Sequence, residues 1–197
     1  MENEKLYIIR PETMALLPYD RSDGSLGTLI IEETRTCQVA QTPLQIVQES
    51  CSYYGSTYSG RKKIAMMMGY KSMPPICVCN ELGIYFLPLM AEASRNCVWL
   101  AHSHIRQWAK SEETPGTIFA YLTHNQKIEL PINIRPFFNK VMKTAQYRLQ
   151  IRERIAPYQI LDTGVPRKQV HEHNIRINER GTFFIHLNDE GEDLSEA

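Results

Sequence analysis

Residues Thr42–Met67 read T-P-L-Q-I-V-Q-E-S-C-S-Y-Y-G-S-T-Y-S-G-R-K-K-I-A-M-M, a well-marked helix running into a block of three cations. Thr42 is a natural N-cap, Pro43 fits the first helical position and Gln45 completes a capping box. Leu44, Val47, Cys51 and Tyr54 recur at helical spacing, and Gly55 suits the stop, so the pattern predicts a capped helix near 43–54. Gly55 and Gly60 then set off a short Ser/Thr/Tyr linker that leads into Arg61, Lys62 and Lys63. Three adjacent cations repel one another unless water or a negative partner lies beside them. Hydroxyls and loop amides next to cations suit phosphate contacts, so the segment points to nucleic acid.

On both sides of this segment the chain is strand-rich. Upstream, Leu6–Ile9, Met14–Leu17 and Leu29–Ile31 are short apolar runs separated by turn formers such as Asp23-Gly24. Downstream, Pro75–Cys79 and Ile84–Leu87 flank a turn at 80–83 and read as a hairpin, and Val98–Ile105 reads as a further strand. Thr117–Leu122 and Ile128–Ile132 form a second hairpin pattern, with Ile128, Leu130 and Ile132 toward the core and Glu129 outward. A longer helix is expected near 136–155. Phe138, Val141, Met142, Ala145 and Leu149 are its apolar stripe; Lys140, Lys143, Tyr147 and Arg154 fall on the opposite side. Residues 157–186 are less decided, with a strand-like Thr182–Leu187. The expected class is α+β, made of β-rich antiparallel hairpins and two helices. The expected organisation is a single DNA-binding domain over 1–187 and a disordered acidic tail over 188–197, which holds five acids and no base.

Charge supports the nucleic-acid reading. The 197 residues carry 22 basic and 22 acidic side chains, but unevenly. Residues 1–49 are net −4, residues 50–168 net +9 and residues 169–197 net −5. A basic middle between acidic ends favours a polyanion-binding body. The N-terminus lacks the basic and apolar regions of a secretory signal, and no apolar run is long enough to cross a bilayer. Five cysteines at 37, 51, 77, 79 and 97 are then most simply reduced thiols, and a cytoplasmic protein is expected.

The candidate DNA-contacting residues are Arg61, Lys62 and Lys63, joined by Lys71 and by Ser103 with His104. On the long helix they are Lys140, Lys143, Tyr147 and Arg154. Arg61 is the candidate for a narrow A/T minor groove, where negative potential is concentrated, while Lys62 and Lys63 are expected on phosphate. Tyr53, Tyr54 and Tyr58 are expected to pack. Arg148 and Arg152 lie nearer the apolar edge of the helix and suit a neighbouring subunit.

The stretches P-L-Q-I-V at 43–47 and S-C-x-Y-Y-G-S-x-Y-x-G-R-K at 50–62 resemble the ComK family of bacterial competence transcription factors. The likeness continues through Pro74-Pro75-Ile76, Phe86-Leu87-Pro88, Trp99–Ile105, Glu129–Ile132 and the following helix, roughly residues 5–155. It implies an activator of DNA-uptake genes that binds A/T-rich boxes in double-stranded promoter DNA. It further implies a homo-oligomer (dimer or tetramer), RNA polymerase as a further partner, no cofactor, and a nucleoid-associated location. Trp99–Ile134, a strand with H-S-H-I and a hairpin before a helix, is also similar to the closing half of LytTR-type DNA-binding domains. After about residue 160 the family pattern is lost. Val170–Asn174 stands where an F-M-L-Y-P-type segment belongs, which weakens the case for a degradation adaptor as partner.

Two other classes stay open: a protein-interaction module that binds no DNA, and a zinc-stabilised protein using Cys77, Cys79, His102 and His104. On strands, residues i and i+2 share a face, so the two pairs would supply a Cys2His2 set. Against it, the spacing departs from the usual zinc patterns, and buried cysteines acting as small hydrophobes are commoner. No G-x-S-x-G, P-loop, H-E-x-x-H or G-x-G-x-x-G is present, and nothing local activates Cys51 or Cys97 as a nucleophile with His102, so no enzyme is expected.

Overall fold

The computed structural model describes residues 3–4, 6–159, 174–177 and 179–186. It divides into two units, Met1–Ile155 and Ala156–Ala197. In the first, alternate residues of one central sheet feed two separate cores, as the two-residue period of a strand requires. The sheet holds β1 (Asn3–Glu4), β2 (Thr13–Asp20), β3 (Leu26–Glu32), β4 (Thr36–Val39), β5 (Ile76–Cys79), β6 (Ile84–Pro88) and β7 (Trp99–Ala101). Its order is β1-β4-β3-β2-β7-β6-β5, and only β1 with β4 is parallel.

Leu16, Ile30, Phe86 and Trp99 point to one face, where α1 (Pro43–Tyr53) lays down Ile46, Val47 and Cys51. Ala15, Ile31, Leu87 and Leu100 point to the other. There they meet a three-stranded antiparallel sheet of β8 (Ile105–Lys110), β9 (Ile118–Leu122) and β10 (Lys127–Leu130), ordered β10-β9-β8. Phe137 and Val141 of α3 (Ile134–Gln159) complete this second core. As expected, Leu130 is buried, Ile128 and Ile132 pack against the same core, and Glu129 is exposed.

The capped helix forms as read. Gln45 N–H donates to Thr42 Oγ1 at 3.3 Å, and Thr42 N–H donates to Gln45 Oε1 at 2.8 Å. Gly55, at φ +73°, ends it in the left-handed region where a side chain is strained.

Several expectations need correction. Leu6–Ile9 is not a strand: Tyr7 and Ile9 are buried, but their N–H groups donate to the side chains of Gln41 and Ser50 rather than to a ladder. Val98–Ile105 is broken by a 3-10 turn at His102–His104, which carries the chain from the central sheet to the small one. The basic run is no loop. It belongs to α2 (Tyr58–Met67), whose N-cap Thr57 accepts from Gly60 N–H at 3.1 Å. The helix was illegible because it buries a single residue, Ala65, and so shows no apolar stripe.

The stripe of α3 is also rotated from its expected position. Phe137, Val141, Thr144 and Tyr147 are buried, whereas Phe138, Met142 and Leu149 are exposed. Thr144 satisfies its hydroxyl by donating to Lys140 O at 2.8 Å, so a polar residue is accepted on the core side. Tyr147 is fully buried, edge-on to Tyr70 at 5.4 Å and Tyr85 at 6.0 Å between ring centroids.

In the second unit β11 (Asn174–Ile177) pairs antiparallel with β12 (Phe183–His186), matching the strand-like stretch near 182–187. The acidic stretch 188–197 lies outside the described residues. Among the described residues no helix is long and apolar enough to cross a membrane.

Candidate nucleic-acid interface

Charge that is adjacent in sequence is not adjacent on the surface. Arg61 is half-buried and turned toward β5; its Nη1 lies 4.0 Å from Cys77 Sγ, and its Nε is buried without a hydrogen-bond partner. Lys62 is ion-paired to Glu92, which also accepts from the Tyr58 hydroxyl. Only Lys63 of the three is exposed. The expected groove-entering role of Arg61 thus conflicts with its inward placement, and Lys62 is already neutralised.

Two further expected contacts are interior residues. Tyr147 belongs to the aromatic cluster just described. His104 is buried, with Nε2 2.7 Å from Pro11 O and Nδ1 2.7 Å from Thr123 Oγ1. A carbonyl only accepts, so Nε2 carries the proton and the ring clamps the Pro11 segment to the turn after β9. Ser103, its neighbour, is exposed beside Arg10 and Arg148 in a hollow of about 250 Å³.

The fold instead gathers cations distant in sequence. Lys71 comes from the loop after α2, Lys140 and Lys143 from the first half of α3, and together they line one cleft of about 220 Å³ with Ser72 and Asn139. None of the described residues lining it is acidic. Lys140 is half-buried; its Nζ donates to Pro88 O at 3.0 Å and lies 3.4 Å from Met73 Sδ, which leaves one N–H for a further acceptor. Burial, and then the Lys143 charge, hold its pKa below the ordinary lysine range. An anion in the cleft relieves both effects. Arg154, about three turns further along α3, is exposed and lines a separate hollow with Met67 and Gln150.

A second cationic surface was not anticipated. Arg106, Gln107, Tyr121, Asn125 and Lys127 line an open hollow of about 690 Å³ on the β8–β10 sheet. His124 and Asn125 both adopt positive φ, 54° and 56°, which makes the hairpin turn abrupt. Lys127 Nζ stands 3.7 Å from the Phe119 ring centroid. These cations are scattered singly in sequence, so no run marked them.

The zinc alternative does not survive. A bulge between Cys77 and Cys79 sends Cys79 into the α1-side core and Cys77 to the Tyr147 cluster, so the i, i+2 rule fails there. His102 and His104 lie on a 3-10 turn, and His102 Nδ1 accepts from Arg148 Nη1 at 2.8 Å. That contact also commits Arg148 within its own chain. Among the described residues no group of three or more His, Cys, Asp or Glu is placed to hold a metal ion. Burial raises the Cys77, Cys79 and Cys97 thiols, and pushes Cys51 up to about 12.

The family described as ComK protein matches residues 4–156, nearly the whole of the first unit. The chain belongs to the ComK family. A competence transcription factor of Bacillus subtilis (strain 168) is 33% identical over 164 residues, covering 83% of this chain and 81% of that protein. No solved structure matches, so the similarity to LytTR-type domains gains no support. The ComK match includes the lysine cleft, Arg154 and the β8–β10 hollow.

Proposed function

We propose that this chain is a non-catalytic transcription activator of competence genes that binds A/T-rich boxes in double-stranded promoter DNA as a homo-oligomer. The DNA-binding domain in this reading spans 1–187, with the acidic stretch 188–197 following it. Its place is the cytoplasm, on the nucleoid, and RNA polymerase is its further partner.

The observation that carries the reading is the convergence of Lys71, Lys140 and Lys143 on one cleft with no acidic lining residue. Lysines so placed suit backbone phosphate, which supplies affinity and steep salt dependence but no sequence information. Ser103, Lys63 and Arg154 are exposed as well, outside that cleft. Selection of A/T-rich boxes then comes from groove width and deformability, because narrow A/T minor grooves concentrate negative potential. The name of the Bacillus relative supports the competence role.

Gel retardation of an A/T-box duplex against a G/C duplex tests the proposal. Tighter binding to the A/T duplex, weakening steeply with salt, is expected. Equal and weak binding to both overturns the A/T reading, and no binding at low salt favours a protein-interaction module.

A further inference from the structure

The exposed side chains of α3 form a pattern that the DNA reading does not use. Ile134, Phe138, Met142 and Leu149 are 43%, 46%, 49% and 55% exposed. At about 100° per residue these four and Ala145 fall within about 80° of arc, a continuous apolar stripe about 22 Å long. The core-facing side of the helix (Phe137, Val141, Thr144) and its lysine edge (Lys140, Lys143) lie outside this arc. A stripe of this kind left facing water is a mark of an interaction surface.

The charges flanking the stripe select the occupant. Arg135 and Glu153 lie on the same edge of it, near its two ends, and both are exposed. They are about 27 Å apart along the axis, too far to pair within one helix. The pairs Phe138 and Leu149, Met142 and Ala145, and Arg135 and Glu153 are each centred on positions 143–144 of the sequence. In an antiparallel two-fold arrangement about that centre these pairs meet: Phe138 packs on Leu149, Met142 on Ala145, and Arg135 faces Glu153. Isologous self-complementarity is the property a two-fold interface demands.

We infer that α3 is the dimer interface, the Phe138–Leu149 part of its stripe packing antiparallel on the same part of a second copy. This deepens the homo-oligomer part of the proposed function, and it leaves the lysine edge of each α3 free for DNA. The stripe is short, so the interface falls at the small end of the range for specific complexes and the dimer dissociates on dilution.

Sedimentation velocity of the full chain without DNA, at rising concentration, tests it. The unmodified chain is expected to pass from monomer to dimer. Phe138→Asp is expected to weaken pairing by about a hundredfold, and Glu153→Lys by about tenfold, because the new cation faces Arg135 of the second copy. Adding Arg135→Glu to Glu153→Lys is expected to restore pairing to within about threefold, a rescue that contact within one chain cannot produce. A monomer at every concentration overturns the inference, as does a dimer indifferent to all these substitutions. Duplex retardation by the same samples separates the outcomes: a chain that never pairs yet still retards DNA loses this interface and keeps its DNA role.

Discussion

The basic run at 61–63 and the lysine cleft hold three cations each, and the fold treats them in opposite ways. In the run, Arg61 turns inward beside Cys77 and Lys62 pairs with Glu92, so one charge of three stays free. In the cleft, Lys71, Lys140 and Lys143 come from positions up to 72 apart in sequence and face one space without a carboxylate. Charge density along a chain is therefore a poor guide to the field outside it. What attracts a polyanion is the charge left unpaired after packing.

The strongest test of this contrast is the triple variant Lys71→Ala, Lys140→Gln, Lys143→Ala. Three lost phosphate contacts are expected to weaken duplex binding on the order of a hundredfold or more and to lower the salt slope by about three. Filter binding across a salt series measures both. An unchanged slope removes the cleft from the interface.

Arg61→Ala sharpens the other side. It is expected to lower stability by about 1–2 kcal/mol in urea unfolding, since the residue packs inside, and to change duplex affinity less than about threefold. Abolished binding with intact stability reverses the comparison and returns the run to the site.

A smaller effect concerns pH. Burial, and then the Arg148 charge, hold His102 at about 4 against an ordinary 6.5. The unfolded chain thus takes up a proton that the folded chain refuses. Stability is full above about pH 6.5 and falls as pH drops from there toward about 4. His102→Gln is expected to flatten that fall in denaturant midpoints, and an unchanged profile assigns the loss to other groups. The smallest effect expected is a roughly twofold tightening of duplex binding when residues 188–197 are removed, because five acids no longer compete for the cationic surfaces. No change on deletion excludes that competition.

Local signals were legible where a single segment satisfies itself. The capping box of α1, the β5–β6 and β9–β10 hairpins and the outward Glu129 all follow from residues within a few positions of one another. Readings failed where a distant partner decides. The stripe of α3 was assigned by apolarity, but the space beside Tyr70 and Tyr85 accepts Tyr147 and leaves Phe138 outside. His104 looked exposed beside Ser103 until Pro11, 93 positions away, took its Nε2.

Composition, caps and alternation by themselves determined an α+β chain with a basic middle, and the motif at 43–62 determined its family, because these are properties of short range or of identity. Which cations remain unpaired, which face of α3 meets the core and where Cys77 points were decided only by the tertiary structure. Pairing and burial depend on groups that chain order does not bring together, and an ion pair or a packed ring removes a side chain from the surface whatever its neighbours in sequence suggest.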